Sequence, residues 1–115
     1  MFENKEQLEK LRNWTFRLAS KIIYVHKDIV LNFNDSSLTE HLLKNGTSIG
    51  EHIVDASQVR ARYDFNYHIV KAQQAIERTK YWLGLLHESS FISSETYDSL
   101  IDEIKNIERF MQENS

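Results

Sequence analysis

The chain contains no cysteine, so thiolate nucleophiles, disulfides and cysteine metal sites are excluded, and any chemistry falls to histidines, carboxylates and tyrosines. Asp64 and His68 stand at i and i+4, one helical turn apart, and could supply half of a metal site. No second pair, such as the Glu-x-x-His of di-metal bundles, completes it. His41 and His52 fall on one helical face but about 16 Å apart, too far for one ion. Glu51 and His52 are helix neighbours projecting about 100° apart, which is no catalytic dyad. A Gly-rich phosphate loop, Gly-x-Ser-x-Gly and His-Glu-x-x-His are all missing. The expectation is a protein that is not an enzyme, with no catalytic residue, bound metal, cofactor or small-molecule substrate.

Two further patterns could recognise a partner. Tyr63, Phe65, Tyr67, Tyr81 and Trp82 could stack nucleobases, although at helical spacing such residues more often anchor a core or a subunit interface. Lys10, Arg17 and Lys21 fall within about 40° on the first helix, and Arg60, Lys71 and Arg78 do the same on the third. Such stripes can track a phosphate backbone.

These residues need elements to position them, and the sequence is explicit about which kind. Proline is absent and glycine occurs three times in 115 residues, so long uninterrupted helices are the economical reading. One domain spanning residues 1–115 is expected, because the length suffices for a single core. No run of eighteen apolar residues exists, and "MFENKEQLEK" lacks the apolar stretch of a signal peptide. A cytoplasmic protein without membrane contact is expected.

Over residues 4–31, Leu8, Leu11, Leu18, Ile22, Val25 and Ile29 recur at three- and four-residue steps, with Trp14 or Thr15 in the missing layer. "NFNDSS" ends this helix. Ser37 and Glu40 then have the spacing of a capping box. A second helix follows Leu38, Leu42, Gly46, Ile49 and Ile53. A break near Ser57 leads to a third, through Phe65, Ile69, Ala72, Ile76, Thr79, Leu83 and Leu86. "HESSFISSE" is a loop, and a fourth helix begins near Ser93 or Ser94 and buries Tyr97, Leu100, Ile101, Ile104, Ile107 and Met111. Four such stripes predict an all-α, antiparallel, up-and-down four-helix bundle.

Gly46 and Gly50 sit one turn apart in the second helix, each costing about 1 kcal/mol relative to alanine. Close approach of another helix offsets that cost, either within the monomer or from a docked subunit, with Thr47 and Ser48 flanking the contact.

"KNGTSIGEHIVDASQVRARYDFNYHIVKAQQAIERTKYWLGLLHESSFI" resembles the signature block of a bacterial four-helix-bundle family, typified by proteins encoded within intervening sequences of 23S ribosomal RNA genes. The resemblance is close over residues 45–92. It rests on Gly46-Thr47-Ser48-Ile49-Gly50, on Asp64-Phe65, and on Glu77 with Tyr81-Trp82-Leu83, in order. It implies a ring-like homo-oligomer, a pentamer, and no catalysis. A related branch serves diversity-generating retroelements as an accessory protein beside reverse transcriptase and nucleic acid. Glu51 and His52 stand where the family usually has alanine and asparagine, and Gln73 and Gln74 where it has a lysine-glutamate pair, so roles tied to those residues do not carry over.

The formal net charge is −3, with helices one and three net basic and helices two and four net acidic. In an up-and-down bundle this alternation pairs neighbours and builds no single basic face. The sequence therefore favours a self-assembling scaffold in which Gly46, Thr47, Ser48, Gly50, Phe65, Tyr81 and Trp82 pack the core or a subunit interface. The alternative is a nucleic-acid accessory module that uses Arg60, Lys71 and Arg78, or Lys10, Arg17 and Lys21, in an assembled ring with RNA or a nucleoprotein.

Overall fold

In a computed structural model that describes residues 5–114, the chain forms α1 (Lys5–Phe33), a 3-10 turn (Ser37–Thr39), α2 (Glu40–Gln58), α3 (Arg62–Glu88) and α4 (Ser94–Glu113). The molecule is a rod of 45 × 22 × 18 Å. α1 packs against α2 and α4, and α3 packs against the same two, so α1 lies diagonal to α3. Adjacent helices run in opposite directions. Lys21 of α1 bonds Glu103 of α4 at 2.6 Å, while Gln7, near the start of α1, meets Asn114, just past the end of α4, at 2.6 Å. This is the antiparallel four-helix bundle that the stripes predict.

Each helix buries one residue per turn, and the buried set is nearly all aliphatic. Leu11, Leu18, Ile22 and Ile29 of α1, Leu42, Ile49 and Ile53 of α2, Ile76 and Leu83 of α3, and Ile104 and Ile107 of α4 are almost wholly enclosed. Full burial of each such side chain stabilises the fold by about 1.5–3 kcal/mol before the entropy of ordering is set against it. Thr15, Thr39 and Thr79 are the buried polar side chains among the described residues, and each is satisfied. Thr15 donates to the Leu11 carbonyl at 2.9 Å and Thr79 to the Ala75 carbonyl at 2.7 Å, whereas Thr39 shares a 2.6 Å hydrogen bond with His26 Nδ1. Thr15 thus fills the layer that the sequence left between itself and Trp14. The indole is half-buried nearby, edge-on to Phe110 of α4 at 5.3 Å.

The start of α2 departs from sequence expectation. Ser37 does not cap α2. Its backbone N–H and its hydroxyl both donate to Asp35 Oδ1, at 2.8 and 2.6 Å, which turns the chain into the 3-10 segment ahead of Glu40. These bonds favour the ionised carboxylate and hold the Asp35 pKa below the usual range. At α4 the local chemistry follows the rule, with the Ser93 hydroxyl accepting from the Thr96 N–H at 3.1 Å.

Candidate functional site

The small-residue face of α2 is turned toward α1. A Cβ placed on Gly46 would overlap Ile22 Cδ1 and stand 3.1 Å from Ile22 Cγ2, while one on Gly50 would stand 3.2 Å from Thr15 Oγ1. Both glycines therefore make an intramolecular helix crossing. Thr47 and Ser48 do not bond across it, because their hydroxyls donate back to the Leu43 and Asn45 carbonyls of their own helix, at 2.8 and 2.9 Å. Beside the crossing, Phe16 and Ile23 of α1 and Thr47 and Val54 of α2 line an open groove.

A second feature is the outward face of α3. Tyr63, Tyr67, Val70, Tyr81 and Leu85 all fall within about 40° of one line along the helix and are all exposed, Tyr63 to 82 % and Tyr81 to 64 %. Their steps of four and three residues are completed by Gln74 and Glu77, the spacing of a seam that faces another helix. α3 is thus apolar on two sides, one turned to the core and one outward. Phe65 and Trp82 do not belong to the seam, being half-buried against the core. Trp82 lies between α2 and α3, stacked on His41 at 4.5 Å and 7°, with Tyr81 edge-on at 5.5 Å.

The basic stripes are altered by their surroundings. Arg60 is not on α3, which begins at Arg62; it lies in the extended link between Val59 and Ala61, so the three-residue stripe expected with Lys71 and Arg78 does not form. The sequence places the break near Ser57, but the junction holds no glycine or proline to fix it, and the break falls at residues 59–61. Lys71 and Arg78 remain seven residues apart on α3, with the Lys71 ammonium 5.5 Å from the Tyr67 ring. On α1, Lys10 lies over Trp14 and Phe110 at 4.8 and 5.2 Å, and Lys21 is held by Glu103; Arg17 stays exposed between them.

The structure also brings together a set that the sequence spacing did not suggest. His52 and Asp55, at i and i+3 on α2, meet His68 of α3, and one donor atom from each lies within 4.8 Å of the others. The hairpin explains the meeting, since His52 is six residues before Gln58 and His68 six after Arg62. Asp64, the sequence partner of His68, is not in the cluster. Partial burial pushes the His52 pKa down, and the Asp55 and Glu51 carboxylates oppose that shift. His68 Nδ1 is buried with no hydrogen-bond partner, alone in this among the described side chains.

Fold and surface together define a small all-helical bundle that carries an outward aromatic seam, and among the described residues no helix is long and apolar enough to cross a membrane. Residues 7–113 match the family described as 23S rRNA-intervening sequence protein, and the chain belongs to that family. It is also similar to a crystal structure from Bacteroides thetaiotaomicron, a protein of unknown function from the S23 ribosomal protein family. The TM-score is 0.88 and the identity 26%, over 93% of this chain and 96% of that one. No curated protein sequence matches the chain.

Proposed function

We propose that this protein is a non-enzymatic, self-assembling scaffold of the cytoplasm, whose copies pack through the outer seam of α3 into a ring-shaped homo-oligomer. The observation that carries this reading is the line of Tyr63, Tyr67, Val70, Tyr81 and Leu85, left facing water along α3. Exposed apolar residues at helical spacing gain by being covered, here in two clusters, Tyr63, Tyr67 and Val70 and then Tyr81 and Leu85, separated by the polar Gln74 and Glu77, and tyrosines supply large contact area with a polar tip for the rim. The groove beside Phe16, Ile23 and Val54 is a different surface from the seam. Contact between two different surfaces is head-to-tail and closes into a ring when the rotation allows, in keeping with a pentamer. Light scattering on the eluting peak of a sizing column tests this. A mass several times 13.6 kDa supports the reading, and a monomer at micromolar concentration overturns it.

A second reading, an accessory protein acting on RNA as an assembled ring, draws on Lys71 and Arg78 along one edge of the seam. Ring closure would repeat that pair once per copy. Absorbance at 260 nm travelling with the oligomer and lost at high salt would favour it over the plain scaffold.

A further inference from the structure

We propose that His52, Asp55 and His68 form a binding site for one divalent transition-metal ion, Zn2+ being the ion the donors fit best. Two imidazole nitrogens and a carboxylate oxygen suit Zn2+ and its first-row neighbours, whereas Mg2+ and Ca2+ require mostly oxygen donors. The donors come from two helices already fixed by the hairpin, so little chain entropy is lost in assembling them.

Tetrahedral zinc, with bonds of about 2.0–2.1 Å, places its donors roughly 3.3 Å apart. Contraction from the present spacing of up to 4.8 Å is within reach of side-chain rotation, because Asp55 is exposed and unconstrained by the core. His68 supplies an independent sign. A buried ring nitrogen with no hydrogen-bond partner calls for a missing water or ion, and coordination through Nδ1 would remove its desolvation cost. Three protein donors leave a fourth position, toward the solvent side of Asp55, for water or for a donor from another molecule.

The surrounding charge acts in both directions. Glu51, next to His52, favours a cation, and the Lys71 ammonium, one turn beyond His68, opposes it. Lys71 therefore sets the affinity without being a ligand, and its removal should tighten binding while removal of any donor weakens it. A mere structural defect would not produce opposite signs from neighbouring positions.

The test is calorimetric titration of the chelator-stripped full chain with Zn2+ alone, paired with visible absorption on Co2+ substitution to report tetrahedral nitrogen and oxygen ligation. The expected result is one ion per chain. His52→Gln and Asp55→Asn should each weaken it by about tenfold or more, and Lys71→Gln should tighten it several-fold. His41→Gln and His87→Gln should leave it unchanged, and Mg2+ should give no heat. Both donor variants lie at partly exposed positions and are to be checked by circular dichroism, so the outcome does not depend on whether His68→Gln folds. No saturable Zn2+ binding, or binding that persists in the His52→Gln/Asp55→Asn double variant, overturns the proposal.

Discussion

Gly46 of α2 stands so close to Ile22 of α1 that any side chain at this position would occupy the space of the Ile22 δ-methyl. Ile22 is wholly buried, so its δ-methyl can yield only by turning within a close-packed core. The helix-propensity gain of about 1 kcal/mol from glycine to alanine is thus opposed by overpacking of about 1–3 kcal/mol. Gly46→Ala should be mildly destabilising. Gly46→Leu should lower the melting temperature steeply, each kcal/mol lost corresponding to about 4–8 °C in a domain near this size. Thermal melts by circular dichroism check both, and a Gly46→Leu protein melting like the parent would refute the packing account.

The other two glycines make the same argument quantitative. At Gly50 an added methyl would meet Thr15 Oγ1 at 3.2 Å, tight but not overlapping, and at Gly84 it would meet nothing within 4 Å. Both have ordinary helical φ. Gly84→Ala should therefore stabilise by about 0.5–1 kcal/mol and Gly50→Ala should be close to neutral. Urea denaturation at low protein concentration gives the ranking, with Gly84 above Gly50 above Gly46; any other order means that local space does not govern these positions.

Helix number, direction and core were legible because they rest on periodicity, which the sequence states directly: Leu11, Leu18, Ile22 and Ile29 repeat in the buried set of α1. What escaped depended on placement across elements. The link at Val59–Ala61 contains no breaker residue, so Arg60 looked helical. Ser37 had capping spacing, but Asp35 two residues earlier competes for its N–H and hydroxyl. His52 and His68 meet only because the hairpin pairs positions sixteen apart, a distance no single-helix period encodes. The seam of α3 was present as a pattern at Tyr63, Tyr67 and Tyr81. It was masked by a second apolar face on the same helix, which only the burial of Ile69, Ala72 and Ile76 separates from it.

If the α3 seam joins copies, charge placed on it should dissociate them without unfolding the bundle. Tyr67 and Tyr81 are both exposed in the single chain, so replacing them together by glutamate should change monomer stability by no more than about 0.5 kcal/mol each. Burying two carboxylates in an apolar contact would cost far more. Light scattering should then give the monomer mass for Tyr67→Glu/Tyr81→Glu with a native helical spectrum. An unchanged oligomer would remove the seam from the interface.

Ser90 follows α3 in the left-handed conformation, φ 67°, within a cap whose geometry demands it. Phe91 N–H donates to the Leu86 carbonyl at 2.9 Å and Ser90 N–H to the His87 carbonyl at 3.0 Å, the paired bonds of a Schellman motif. A non-glycine residue there carries a penalty of about 1–2 kcal/mol from its Cβ. Ser90→Gly relieves it and loses some denatured-state restriction in return, so a net gain of about 0.5–1 kcal/mol is expected. Chemical denaturation is the check, and a loss of stability would show that the serine side chain does something the cap does not require.

Lys80 ties α3 to α4. Its ammonium lies 3.0 Å from Glu108 Oε2 across the interface and 3.1 Å from Glu77 Oε1 on its own helix. The hydrogen bond to Glu108 is the main cause raising the Lys80 pKa above its ordinary value; partial burial works against it, and Glu77 adds to the rise. Because the folded-state pKa is the higher one, the stabilisation is fully present below the unfolded value, about 10.4, and is lost as pH climbs through the folded value. Both acids are partly in water, so the whole effect is small, within about 1 kcal/mol. Lys80→Gln should therefore melt slightly below the parent by a constant margin from neutral pH to about 9.5, and the margin should vanish at higher pH, where the parent lysine has lost its proton. Paired melts across that range decide it. A margin that persists at strongly alkaline pH would mean that the lysine stem, packed along α4, contributes the stability, and the ammonium does not.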